Sequence, residues 1–285
     1  MRIVDNVAAM RVLTNLGRTD RAIGRSTVRL SSGFRINSAG DDPAGFAISL
    51  KLRRQVSSME MADRNTLDGT SLLETADAAL QDVHNMIHRM RELAVAASND
   101  TNTDADRANI QEEIYGLLAE INDVTRKVEF NNIRLLDGEA NNLHIQVGGR
   151  EGMTIAVSIP SITTWQIGLT SERWHRGLSG DPNHWHLNVN TREDAQDAID
   201  MLDNAISHVS LNRAEIGALI NRFEYTSTSL RAATEATSRS LSRIMDTDMA
   251  HEMMLLSKHN ILSQAGMSIL AQVNARPQQV LQLLG

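Results

Sequence analysis

The sequence predicts a mainly α protein: a long antiparallel helical bundle or coiled coil with a small β-hairpin region and paired terminal helices. Three observations carry this expectation. Leu202, Val209, Ile216, Phe223, Leu230, Thr237 and Ile244 recur every seventh residue, with Ile199, Ile206, Ile220 and Leu241 three before four of them. That spacing is an a/d stripe on a long helix. Two further segments carry the same 3-and-4 alternation, and between these and the long helix a short stretch changes to a period of two.

Composition agrees with helix-to-helix packing. Of 285 residues, 41% are hydrophobic but only 3% are aromatic. Ala, Leu, Ile and Met supply the apolar surface, which suits thin interfaces more than a thick core built on rings. The net charge of −7 gives no electrostatic footprint for nucleic acid. The absence of cysteine excludes disulfides, thiolate metal sites and Cys nucleophiles. Met1-Arg2-Ile3-Val4-Asp5-Asn6 lacks the apolar core of a signal peptide. No run approaches the ~18 apolar residues of a membrane span. Neither nucleic acid nor membrane is therefore an expected partner.

In chain order, residues 2–32 read as a helix with Ile3, Val7, Met10, Leu13, Leu16, Ile23 and Leu30 near one side. Gly33 follows as the residue that ends it in a left-handed conformation. Ser38 to Gly40 is turn chemistry. Asp42 before Pro43 starts a second helix, because Asp caps free N–H groups and Pro suits the first helical position. This helix runs to about Ser98 on Leu73, Ala76, Leu80, Val83, Ile87, Met90, Ala94 and Ala97. Asn99 to Asn102 is a loop, and Thr103 with Asp106 forms a capping box. A third helix carries Ile110, Ile114, Leu117, Ile121, Val124 and Val128. Leu143, Ile145 and Val147, then Met153, Ile155, Val157 and Ile159, alternate around Gly148-Gly149-Arg150-Glu151-Gly152 as a β-hairpin.

Residues 161–190 have neither period and contain Trp165, Trp174 and Trp185. They read as a short variable surface-exposed excursion, with Trp165 packing back on the hairpin. The long helix then spans about 195–244, fifty residues or roughly 75 Å. After Ile244 the register shifts, with Leu255, Leu262 and Ile269 at seven and Val273 and Val280 at seven. Pro277 is expected to loosen the last turns. The resulting division is 1–42 with 245–285 as a discontinuous terminal coiled coil, and 43–160 with 190–244 as bundle plus hairpin.

Five stretches carry a family resemblance. Arg29-Leu-Ser-Ser-Gly-Phe-Arg-Ile-Asn-Ser-Ala-Gly-Asp-Asp-Pro-Ala-Gly-Phe-Ala-Ile48 resembles the N-terminal hallmark of bacterial flagellins. Met90-Arg-Glu-Leu-Ala-Val95, Phe130-Asn-Asn-Ile-Arg-Leu-Leu-Asp-Gly138, Ile216-Gly-Ala-Leu-Ile-Asn-Arg-Phe-Glu224 and Gln264-Ala-Gly-Met-Ser-Ile-Leu-Ala-Gln272 match further family stretches in family order. The resemblance covers roughly 1–160 and 190–285 and implies a short filament subunit without large outer domains. It implies that the terminal helices form an inner core around a channel, with Ile3, Val7, Met10, Leu255, Leu262, Ile269 and Val273 as the polymerisation core. Residues 1–32 and 255–285 are then expected to be buried mainly by neighbouring copies.

The implied partners are other flagellin subunits, a dedicated export chaperone on the C-terminal helices, and the filament cap and hook-junction proteins. The implied location is extracellular, on the flagellum, reached through the flagellar type III export system. The flagellin-sensing Toll-like receptor is a further implied partner. Arg89 and Leu93, with Glu113 on the next helix, match the family's receptor surface, while His88 and Met90 replace the commoner Gln and Val.

No residue is assigned a catalytic, cofactor-binding or metal role. His251-Glu252 begins like a zinc-protease helix but lacks the second histidine, and reads as a solvated face. His175, His184 and His186 read as exposed loop residues, Asp41-Asp42 as helix capping. Ser171 and Ser179 are expected glycan acceptors. Two other readings compete with the filament subunit. A hook–filament junction protein shares both ends, but the match through Met90–Val95 and Phe130–Gly138 disfavours it. A coiled-coil signalling or adaptor protein shares the heptads without needing the end motifs.

Overall fold

The computed structural model describes residues 6–170 and 187–284, the side chains of 276–284 excepted. Its elements, in order, are α1 (Val7–Ser32), α2 (Pro43–Ala97), α3 (Asp104–Lys127), β1 (Glu129–Phe130), β2 (Ile133–Arg134), β3 (Leu143–Gln146), β4 (Thr154–Val157), α4 (Arg192–Met245) and α5 (Met249–Leu284). The mainly helical class with a small β region is therefore what the chain forms. Two compact units divide it, Met1–Ser57 with Glu235–Gly285, and Ser58–Thr234.

In the first unit α1 and α5 pack antiparallel. Asn6 Nδ2 reaches Val273 O, Ser263 Oγ reaches Asp20, and Ser26 reaches Glu252, so one chain rises as the other descends. Asn6 caps α1 by accepting from Ala9 N at 3.1 Å. At the other end Gly33 takes φ 74° and donates its N–H to Arg29 O, the left-handed stop that only a residue without Cβ adopts cheaply. The turns after α1 and α4 are tied by Arg35 N to Met245 O and Thr247 N to Gly33 O. Asp41 Oδ2 accepts from Ser38 N, Ser38 Oγ and Asn37 N, and Asp42 Oδ1 from Gly45 N at the start of α2. The backbone hydrogen bond from Ser38, with the others, lowers the Asp41 pKa. α5 continues through Pro277.

The second unit holds the main core. Leu73, Ala76, Leu80, Val83, Ile87, Met90, Ala94 and Ala97 of α2 are all fully buried, the full stripe expected. On α4, Leu202, Val209, Ile216 and Phe223 are buried as expected, but Ala198 and Ala205 fill the alternate seam, leaving Ile199 and Ile206 half-buried. The seam steps four, not three, before Leu202 and Val209. Alanine there lets neighbouring backbones approach closely, and the bulkier isoleucines seal the flank.

α3 departs further from expectation. Ile114 and Ile121 are buried, but Ile110, Leu117, Val124 and Val128 only flank the core. The buried row is Arg107, Gln111, Ile114, Leu118, Ile121 and Thr125, with Asn122 beside it. Half of it is polar, and each polar member has a task, Thr125 Oγ1 donating back to Asn122 O at 2.9 Å. Arg107 donates to Ala97 O and Asn99 O, satisfying carbonyls at the end of α2. Gln111 accepts from Val189 N at 2.7 Å and donates to Leu187 O at 3.3 Å. Asn122 Oδ1 accepts from Thr164 Oγ1 at 3.0 Å.

These bonds tie the described flanks of 161–190 to α3. In those flanks Ile162, Thr163, Thr164, Ile167, Leu169, Thr170, Leu187 and Val189 are buried. Trp165 is 40% exposed, whereas Ile162 and Ile167 on either side of it in sequence are buried in the core. Trp174, Trp185, His175, His184, His186, Ser171 and Ser179 lie outside the described residues.

The expected hairpin forms as β3 and β4, antiparallel with Leu143 opposite Val157 and Ile145 opposite Ile155. A second, smaller one pairs Phe130 with Ile133. Asn131 and Asn132 take φ 49° and 64°, the positive pair that a tight two-residue turn requires and that Asn tolerates.

Candidate functional site

Two surfaces stand out. The first is the outer face of the α1–α5 pair. α1 meets α5 through Ala9, Val12, Leu16, Thr19, Ile23, Ser26 and Leu30, all buried or half-buried, at strict steps of three and four. The facing row on α5 is Glu252, Leu256, His259, Ser263, Gly266, Leu270 and Val273. Several members of both rows are small or polar. A Cβ on Gly266 would stand 3.4 Å from Leu16 Cδ1, so the helices approach closely there.

Many large apolar side chains of the two helices point elsewhere. Val7 is 56% exposed, Met10 63% and Ile261 65%, and Leu13, Val28, Met249, Met253, Met254, Leu262, Met267 and Ile269 are exposed with them. The single α1 stripe read from sequence is thus two faces. Val7 and Leu16 are nine residues apart, roughly 900° of rotation, which places them on opposite sides. Of the expected polymerisation core, Val7, Met10, Leu262 and Ile269 are exposed, Leu255 and Val273 are half-buried, and Ile3 lies outside the described residues.

Within the seam, Glu252 is only 4% exposed. The reading of His251-Glu252 as a solvated face fails for the glutamate, which accepts from Ser26 Oγ at 2.6 Å and lies 3.8 Å from Arg29 Nη1. A partner on another helix made this burial invisible to a local motif.

The second surface joins α2 to α3. Arg89 Nε and Nη2 both donate to Glu113 Oε1, at 3.0 and 2.8 Å, and Nη1 donates to Glu92 at 3.4 Å. The Glu113 hydrogen bonds raise the arginine's pKa further. Arg89 and Glu113 are exposed and adjacent. Leu93 is not an open anchor beside them: it is 7% exposed and belongs to the core that Leu72, Ala79 and Ile114 share. Alongside, Arg91 holds Asp203 of α4 at 2.6 Å, and Arg213 of α4 holds Asp77 of α2 at 2.9 Å. These ion pairs lace α2 to both neighbours.

Among the described residues, no group of three or more His, Asp or Glu side chains is placed to hold a metal, and no helix is long and apolar enough to cross a membrane.

Comparison with known proteins adds the family. Residues 3–141 match the bacterial flagellin N-terminal helical region, and 199–284 match the bacterial flagellin C-terminal helical region. The chain is 40% identical to the flagellin of Halalkalibacterium halodurans and 39% identical to that of Bacillus subtilis, covering all of both chains in each case. A putative flagellar hook-associated protein from Vibrio parahaemolyticus shares the fold, with TM-score 0.57 at 16% identity, over 72% of this chain and 100% of that one. End-to-end identity to flagellins favours the filament subunit over the junction and adaptor readings. The chain belongs to the bacterial flagellin family, the structural subunits of the flagellar filament.

Proposed function

We propose that this subunit polymerises through the outward apolar faces of α1 and α5. Val7, Met10, Leu255, Leu262 and Ile269, with Ile3 before them, form the inner contact surface, while Val273 of the expected core lies in the α1–α5 seam. The carrying observation is the outer face of those two helices, where Val7, Met10, Leu13, Met253, Met254, Ile261, Leu262, Met267 and Ile269 are exposed although the seam between the helices is already filled. Apolar surface of that extent on a soluble chain marks an interaction site. Copies that meet through different faces propagate a helical polymer and do not close. Segments 1–42 and 245–285 then line the inner core, 43–160 and 190–244 build the surrounding tube, and part of 161–190 faces outward. No catalytic step is assigned to it.

Deleting 1–32 or 255–285 tests this by electron microscopy. Loss of filaments is expected, and normal filaments from either truncation overturn it. Long tubes from the intact chain separate a filament subunit from a junction protein.

The subunit reaches the cell exterior through the flagellar type III channel, meeting the hook-junction and cap proteins at the filament ends. A dedicated chaperone covers α5 beforehand, because Ile261, Leu262 and Ile269 are exposed in the lone subunit. Backbone amides across 245–285 are then protected in the chaperone complex; protection confined to 195–240 contradicts this.

A second reading concerns the flagellin-sensing Toll-like receptor, and the Arg89–Glu113 pair supports it. A planar arginine with exposed donors beside a carboxylate is hot-spot chemistry. Leu93 contributes by holding the surface from beneath.

A further inference from the structure

His84 and His88 stand one turn apart on α2, and their Nε2 atoms are 3.0 Å from each other. The ring centroids are 4.5 Å apart and the planes cross at 73°. Two neutral imidazoles hold this contact with one hydrogen, carried on one Nε2 and accepted by the other. His88 is exposed and His84 half-buried. The second nitrogen of His84, Nδ1, is shut off from solvent and has no hydrogen-bond partner. No outside group therefore fixes which nitrogen of that ring carries its hydrogen.

The charged groups around the pair are engaged with one another. Burial, then the proximity of His88 and Arg213, lowers the His84 pKa. Arg213 is itself engaged with Asp77 and Gln81. Asp203, the carboxylate that senses His88, is held on both oxygens by Arg91 at 2.6 and 3.3 Å.

We propose that His84 and His88 form a two-nitrogen site for a divalent transition-metal ion, copper(II) or nickel(II) ahead of zinc(II). Histidines at i and i+4 present their rings on one helix face, a spacing that metal-binding helices use. With metal–nitrogen bonds of about 2.0–2.1 Å, the observed 3.0 Å separation corresponds to an angle of about 94° at the metal. That is a cis angle of square-planar or tetragonal coordination, the preference of copper(II) and nickel(II). Tetrahedral zinc needs the nitrogens further apart. The affinity order of divalent ions for imidazole runs the same way.

On binding, each Nε2 gives its lone pair to the ion. With the exposed His88 as the donor, the hydrogen on its Nε2 moves to its own Nδ1 by exchange with solvent, so neutral rings release no net proton. Protonation of either ring competes, so affinity falls with pH. Water fills the remaining positions, and no carboxylate braces the outer nitrogens. The site is accordingly modest in affinity compared with a braced one.

Calorimetric titration of the full-length monomer with nickel chloride, zinc chloride and glycine-buffered copper(II) tests this at pH 7.5 and 5.5. The starting protein is H175N/H184N/H186N, which removes the histidines of 161–190 from competition. One ion per chain is expected at pH 7.5, copper tightest, with binding sharply weaker at pH 5.5. H88Q, which alters only an exposed side chain and leaves the fold intact by circular dichroism, is expected to weaken binding at least tenfold, and H84Q likewise. Electron paramagnetic resonance of the copper form should show two in-plane nitrogens, reduced to one in H88Q. Binding unchanged in H88Q, or absent once His175, His184 and His186 are replaced, overturns the proposal.

Discussion

Ser26 gives its hydroxyl hydrogen to Glu252 Oε1 at 2.6 Å across the α1–α5 seam, and both side chains are buried. Arg29 approaches the other carboxylate oxygen at 3.8 Å. Ser26→Ala leaves Glu252 Oε1 without its donor, a loss of about 1–3 kcal/mol per subunit. Glu252→Gln keeps an acceptor for Ser26 and should cost less. Heat depolymerisation of filaments, followed by light scattering, should rank wild type above Glu252→Gln and that above Ser26→Ala. Equal melting of all three would remove the pair from the account of filament stability.

The exposed apolar face of α5 makes a different prediction. Ile261→Asp alters a side chain that touches little within its own chain, so the monomer's circular dichroism should be unchanged. Its critical concentration for polymerisation should rise strongly, since a charge buried between copies lacks a partner. Unaltered assembly of Ile261→Asp together with Met10→Asp would contradict the assignment of that face.

Arg89 and Leu93 should separate in a receptor assay. Arg89→Ala is expected to cost on the order of 1–2 kcal/mol of binding without changing the melting temperature, because an exposed ion pair contributes little stability. Leu93→Ala opens the core and should destabilise the monomer by about 2–5 kcal/mol. Surface plasmon resonance with thermal unfolding on the same samples checks both. Receptor binding unchanged in Arg89→Ala and Glu113→Ala leaves packing as the role of this region.

Acid stability should register Asp63. Burial pushes its pKa up, but the hydrogen bonds from Ser227 and Arg231 and the arginine's charge outweigh that, so the net shift is downward. A carboxylate with a folded pKa below its unfolded value near about 3.9 stabilises the fold fully above that value. The contribution is lost as pH falls through the lower, folded pKa. Thermal melts from pH 6 to pH 2 should show Asp63→Asn destabilised at pH 6 and converging with wild type at the acid end. A constant difference across the range would mean that charge at Asp63 plays no part.

What could be read in advance followed from side-chain type. The α2 stripe from Leu73 to Ala97 was legible because every seam position is apolar and the register never slips. The α3 seam was not, since Arg107, Gln111 and Asn122 look like solvent-facing residues until their partners at Ala97, Val189 and Thr164 are placed. Those partners lie on other segments, and no local period reports them. The same limit hid Glu252, whose partner Ser26 is 226 residues away. On α1, three successive three-residue steps from Val7 to Leu16 merged two faces into one stripe. The turn at Asn131-Asn132 did carry a signal in its two asparagines, but strands of two residues are too short to show a period. Arg89 and Glu113 were placed together by the short loop before α3, whereas the burial of Leu93 depended on the packing of the whole unit.

The inverted polarity of α1 and α5 reshapes what these helices tolerate during evolution. In an ordinary globular domain the hidden positions resist change and the visible ones drift. Here Ile261, Met254 and Met10, all open to solvent in the lone subunit, should be as intolerant as a core. Ser263 and Thr19, inside the pair, have milder requirements of size. A saturation library selected for swimming would show the usual correlation between exposure and tolerance through α2 and α4, and its reversal along the two ends of the chain.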